Sequence, residues 1–160
     1  MEDWRKIDID ALDASTRNKR LTSETILANF INKGIIHKYS SQELSNLIGE
    51  ISARINKNDY SSSILEIVVK YPVYAAEDSS LKLHYVQLIN NCLVNTKDID
   101  PVLKQLSDDE IDVLLKYCYK IMSLTELQAT GQYIVNWVYK IISLHGQGVV
   151  LRYITDRKTI

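Results

Sequence analysis

The chain has 160 residues, 46% hydrophobic and 24% charged, with a formal net charge of −1. That describes one domain of ordinary size, able to build a core without metal or disulfides. So even a charge balance carries no footprint for nucleic acid or an anionic membrane surface.

Five glycines and two prolines favour long helices over a turn-rich β architecture. No run of 18 apolar residues occurs, and Met1-Glu2-Asp3-Trp4-Arg5-Lys6 leads into no signal-peptide core. No N-x-[ST] acceptor is present either. The expectation is a soluble intracellular protein in a reducing compartment. Cys92 and Cys118 both fall in apolar helical patterns, as small buried hydrophobes would, and not as halves of a disulfide.

Residues 1–20 differ from the rest. Five acids and five bases surround only a few large apolar residues, Trp4, Ile7, Ile9 and Leu12. Lys6-Ile7-Asp8-Ile9-Asp10 alternates as an extended segment does. Alone, such a segment buries too little to offset its ordering entropy. It reads either as a frayed terminus or as an arm that orders along a partner, with Trp4, Ile7 and Ile9 as anchors.

Ser23 to Lys33 suggests a short helix carrying Ile26, Leu27, Phe30 and Ile31, with Gly34 just past its end. From Ser41 the pattern is regular: Leu44, Leu47, Ile48, Ile51 and Ile55 mark a helix that Asn56-Lys57-Asn58-Asp59 ends. Ser61 to Lys70 continues with Ile64, Leu65, Val68 and Val69 until Tyr71-Pro72. Its β-branched run also fits a strand, but no partner strand is evident in the sequence. Asp78 or Ser79 caps a third helix with Leu81, Tyr85, Leu88, Ile89 and Cys92 inside. Asp98-Ile99-Asp100-Pro101 opens a short helix through Leu106.

Ser107 to Ser123 is the strongest element. Ser107-Asp108-Asp109-Glu110 is a capping box, and its three acids suit the positive end of a helix. Ile111, Leu114, Leu115, Cys118, Ile121 and Met122 share one face. The polar residues Asp109, Asp112, Lys116 and Lys120 fill a strip only about 100° wide. Val113 and Tyr117 extend the apolar surface, so this helix needs neighbours on several sides. Ser123-Leu124-Thr125-Glu126 reads as a second capping box, opening a helix to about Leu144 with Leu127, Ile134, Trp137, Val138 and Ile141 inside. Gly131 within it suggests a close helix crossing. Gly146-Gln147-Gly148 breaks it, and Val149 to Ile160 forms a last short element. The fold class expected is all-α: six to seven helices in a single irregular bundle over 40–160, with an extended arm and connection over 1–39.

No catalytic or metal-binding constellation emerges. His37, His84 and His145 belong to no ligand spacing, and no phosphate-binding or nucleophile motif occurs. First-turn capping explains Asp108-Asp109-Glu110. The ten tyrosines are scattered as packing or interface residues. The tail reads either as a solvated basic end or as a docking element, with Tyr153, Ile154 and Ile160 set among Arg152, Arg157 and Lys158. A non-enzymatic interaction protein without cofactor is the better class.

Three stretches together resemble one family. Trp4-Arg5-Lys6-Ile7-Asp8-Ile9-Asp10 is similar to the aromatic-Arg-Lys arm near the start of subunit 5 of the actin-related protein 2/3 (Arp2/3) complex. Ile111 to Lys120 resembles that family's central helix, with its D-x-L-x-K-Y-x-Y-K run. The glycine break at Gly146 and Gly148, then Arg152-Tyr153-Ile154-Thr155-Asp156-Arg157-Lys158-Thr159-Ile160, resembles its ending. The stretch from Asp13 to about Ser80 corresponds more loosely.

The resemblance implies a non-catalytic, all-helical subunit of the seven-subunit assembly that nucleates branched actin filaments. It implies a body docked on the β-propeller subunit and on subunit 4, and an arm, Trp4 to Asp10, that tethers Arp2. Actin filaments would be met only through the complex. It places the chain in the cytoplasm with the actin cytoskeleton, including cortical patches, and leaves any ATP to the actin-like partners. Arg152, Tyr153, Arg157 and Lys158 join the arm as partner-binding residues by the same resemblance. A generic helical adaptor unrelated to actin remains the alternative.

Overall fold

The computed structural model describes residues 23–158 and 160. The arm residues Trp4 to Asp10, and Thr159, lie outside the described residues. The all-α expectation holds, with eight α-helices among the described residues: α1 Ser23–Asn32, α2 Ser41–Ile55, α3 Tyr60–Ser63, α4 Ser79–Asn95, α5 Ile99–Leu103, α6 Asp108–Ser123, α7 Gly131–His145 and α8 Gly148–Thr155.

Helix ends follow local chemistry. After α1, Gly34 takes φ +67°, and the N–H groups of Gly34 and Ile35 bond the carbonyls of Ile31 and Phe30. This is the Schellman closure that glycine permits at no steric cost. Ser40 and Glu43 cap α2 reciprocally. At α6 the Glu110 carboxylate accepts from the Ser107 N–H at 2.8 Å and its hydroxyl at 2.9 Å. Asp78 caps α4, accepting from the N–H of Ser80 at 2.7 Å.

Four local expectations need correction. The segment after α3 is a π-helical turn, Ile64–Val68, closed by Val69 N–H on the Ile64 carbonyl. Ile64, Ile67, Val68 and Val69 are all buried there, more than one face of a regular α-helix would carry inward. Next, a strand pairing does exist: β1 Lys38–Tyr39 runs parallel to β2 Ala75–Ala76, in register Lys38 to Ala75. Two residues per strand give almost no alternation to read.

The second capping box does not form. Ser123 is the last residue of α6, and its hydroxyl donates to the Lys120 carbonyl at 2.7 Å. The chain instead enters α7 through a 3-10 helix, Thr125–Thr130. Gly131 marks that junction and not a close crossing, because a Cβ there would meet nothing within 4 Å.

The core is built on α4 and α6. Helix α6 packs on α4, α7 and α8, while α4 also packs on α2 and α3. Leu27, Phe30 and Ile31 of α1 pack against this core and Ile36 lies within it, so the stretch ahead of α2 joins the body. Polar groups link the layers at depth. Tyr117 accepts at its hydroxyl from the Val73 N–H at 2.9 Å, and the Trp137 indole N–H donates to the Leu93 carbonyl at 2.9 Å. Complete burial pushes the Tyr117 phenol well above its ordinary value.

Candidate functional site

The three histidines do not converge. His37 Nε2 lies 3.3 Å from Glu43, His145 Nδ1 lies 3.6 Å from Asp108, and His84 is exposed on α4. These are separate places. Among the described residues no three His, Cys, Asp or Glu side chains gather as a metal site would require. Cys92 and Cys118 are free and buried, and burial pushes their thiols up to about 11 and about 12. Such thiols are poor nucleophiles. A cleft of 590 Å³ is lined by Asn58, Asp59, Tyr60, Asn95, Thr96 and Lys97, none of them paired as nucleophile and base. No described helix is long and apolar enough to cross a membrane.

The conspicuous surface is apolar. Of the eight large hydrophobic side chains exposed among the described residues, six lie between Tyr133 and Ile154. On α7, Trp137 and Ile141 face the core while Val135 and Tyr139, four apart, face outward. On α8, Val149 faces inward while Leu151 and Ile154, three apart, are exposed. Tyr139 and Ile154 are 66% and 69% exposed. The two helices pack on each other. Several exposed apolar side chains on two neighbouring helices make this region the candidate interaction surface, whereas single ones are ordinary.

The tail is held in place by pairs that the sequence does not reveal. Arg152 grips Asp112 of α6 with two hydrogen bonds, Nε to Oδ2 at 2.7 Å and a terminal N–H to Oδ1 at 2.9 Å. Tyr153 stacks on Tyr119 of α6, with ring centroids 4.3 Å apart. Lys116, expected on the polar strip of α6, is instead buried at 4% exposure. Its ammonium bonds Asp156 at 2.5 Å, lies 3.4 Å from the Tyr74 hydroxyl and sits over the Tyr74 ring. Burial works against ionising Asp156, but the hydrogen bond from Lys116, the Lys158 N–H and both lysine charges outweigh it. The carboxyl is therefore held below the usual carboxylate range.

Of the tail residues singled out from the sequence, Arg152 and Tyr153 thus point onto α6. Lys158 lies near Asp156, with Nζ at 3.9 Å from its carboxylate, and Arg157 is exposed. Val135 and Leu151 have no role in the sequence reading, and Tyr139 figures there only among the tyrosines serving packing or interface. The available signal was a helical wheel over 131–145, which is apolar on opposite sides.

A family model described as the ARP2/3 complex 16 kDa subunit (p16-Arc) matches residues 3–160. The chain belongs to the p16-Arc family. It is 31% identical over 160 residues to actin-related protein 2/3 complex subunit 5 of Saccharomyces cerevisiae, covering 99% of this chain and 98% of that one. A probable subunit 5 from Caenorhabditis elegans is 28% identical over 107 residues, 66% of this chain and 71% of its own. The subunit 5 of Dictyostelium discoideum is 22% identical over 120 residues, 74% of this chain and 84% of its own.

Proposed function

We propose that this chain is a non-catalytic structural subunit of an Arp2/3 complex, contributing through that complex to nucleation of branched actin networks. The observation that carries the reading is the family match over residues 3–160. The helical body docks on the β-propeller subunit and subunit 4, and Val135, Tyr139, Leu151 and Ile154 supply its apolar contact. Removing such side chains from water is what drives association. The ties from Arg152, Tyr153 and Asp156 to α6 keep α8 oriented, so less ordering is needed on docking.

The arm, Trp4 to Asp10, tethers the Arp2 subunit, with Trp4, Ile7 and Ile9 as anchors and the flanking charges setting register. Exposed Arg157 and nearby Lys158 add contacts at the tail. The chain works in the cytoplasm with the actin cytoskeleton, including cortical patches.

Deletion of residues 1–12 tests the tether. Residues 1–12 carry only Trp4, Ile7, Ile9 and Leu12 as large apolar side chains, too few to add much burial, so the truncated chain should keep its helicity and melt within about 2 °C of the full chain. It still joins the complex while the Arp2-like partner is lost on washing. Retention of that partner at the full-chain level, or a large loss of helicity, would reject the tether.

A further inference from the structure

Lys82 has no role in the surface just described. It lies in the first turn of α4, half-buried along a groove of 510 Å³ whose walls include Leu27, Ala28 and Ile31 of α1, Ala75 of β2 and Ser79. Its Nζ donates to the Tyr74 carbonyl at 2.7 Å. That acceptor is neutral, and among the described residues no carboxylate lies within ion-pair distance of Lys82. Asp78, one turn earlier, spends its carboxylate on the N–H groups of Ser80 and Leu81. Two further lysines add positive charge. Lys38 of β1 lines the same groove, and Lys120 of α6 acts on Lys82 through its charge. The positive end of the α4 dipole adds to this. The lysine charges and the helix end disfavour an ammonium, and only the bond to the Tyr74 carbonyl favours it. Burial first, then Lys120, lower the amine to about 8.

We propose that Lys82 is an acylation site, taking a short acyl group from a thioester donor. The groove leaves room beside the amine, and its Leu27 and Ile31 walls accept a short apolar chain. In the neutral amine one N–H keeps the bond to the Tyr74 carbonyl while the lone pair is free. That lone pair attacks the thioester carbonyl carbon. The N–C bond forms, the C–S bond breaks, the sulfur leaves as thiolate, and the proton lost from nitrogen ends on that thiolate through solvent. The products are an amide and a thiol. The amide N–H can still donate to Tyr74, and the charge that burial and Lys120 oppose is gone. This inference goes beyond the structural-subunit reading and stands independently of it.

The test is site-resolved labelling of the folded full-length chain with acetyl-coenzyme A, followed by peptide mass spectrometry. The exposed Lys57 and Lys104 serve as internal references. An ordinary lysine near 10.4 is almost wholly protonated at pH 7, so Lys82 should react at least about tenfold faster than either reference. Its rate should level off just above pH 8. Lys120→Met should slow it several-fold at pH 7 by removing one opposing charge, a change that mere exposure of the site would not produce. A Lys82 rate at or below the references, or a profile still rising beyond pH 10, would overturn the proposal.

Discussion

Replacing Trp137 by alanine should lower the unfolding free energy by about 3–5 kcal/mol, the range for large aromatic truncations in a packed core. Trp137 is 1% exposed and lies on the inner face of α7. Two effects combine. The truncation removes the largest fully buried side chain among the described residues, from a helix that packs on α4. It also removes the only described donor to the Leu93 carbonyl, which lies in the last turn of α4 where no helical N–H follows to take it. Trp137→Phe separates the two: it keeps most of the bulk and should cost less, about 1–3 kcal/mol, chiefly from the unpaired carbonyl. Urea unfolding followed by circular dichroism would rank the three proteins. A Trp137→Ala chain within 1 kcal/mol of the parent, on the order of its own measurement error, would mean that α4 and α7 are not coupled through this residue.

The second large effect concerns the buried lysine. Asp156→Asn should cost about 2–3 kcal/mol, below the 3–5 typical of a broken buried pair because Asp156 keeps 29% of its side chain in water. The cost arises at Lys116, left at depth with a neutral amide, a phenol and a ring in place of a carboxylate. Lys116→Met combined with Asp156→Leu should recover most of the loss, since apolar groups of similar size leave nothing unpaired.

Acid should show the same pair. The folded pKa of Asp156 is depressed, so its contribution is complete above the unfolded carboxylate value, near 4. It fades as pH falls through the lower folded value. The stability gap between the parent and Asp156→Asn should therefore be constant from pH 5 to 7 and close below about pH 4. A gap that widened in acid would contradict the assignment.

Why these residues escaped notice in the sequence is a matter of what periodicity encodes. Ile111, Leu114, Leu115 and Cys118 repeat at helical spacing because one side of α6 meets the core, and any wheel finds them. Lys116 obeys the same geometry but carries a charge, and only Asp156, 40 residues away, makes its burial tolerable. Long-range pairing leaves no local trace. Ser123 shows the converse. Its spacing to Glu126 is right for a cap, yet hydrogen bonding back to the Lys120 carbonyl completes the preceding helix instead.

The π-helical turn at Ile64–Val68 is likewise settled by how many branched side chains the core admits. As for the surface, Arg152 and Tyr153 stand out in the sequence because they are polar and aromatic in a basic tail. Their contacts with Asp112 and Tyr119 tie the fold together. Hydrophobic type alone does not say which side of a helix is covered, so Tyr139 reads from sequence as either a packing or an interface residue.

The central claim is that this body docks into an Arp2/3 complex through the α7–α8 face. It is tested most directly by native affinity purification of the tagged chain, with quantitative mass spectrometry of its partners, beside a Tyr139→Glu, Ile154→Glu variant. Both side chains are more than half exposed, so the variant should melt within about 2 °C of the parent. The account predicts that the parent brings down two actin-like proteins, a β-propeller protein and the other small subunits at equal stoichiometry. The variant should lose at least about 90% of them, as burying two charges in an apolar contact demands. A different partner set, or the chain alone, would contradict the assembly. The same set held equally well by the variant would move the docking surface elsewhere on the bundle.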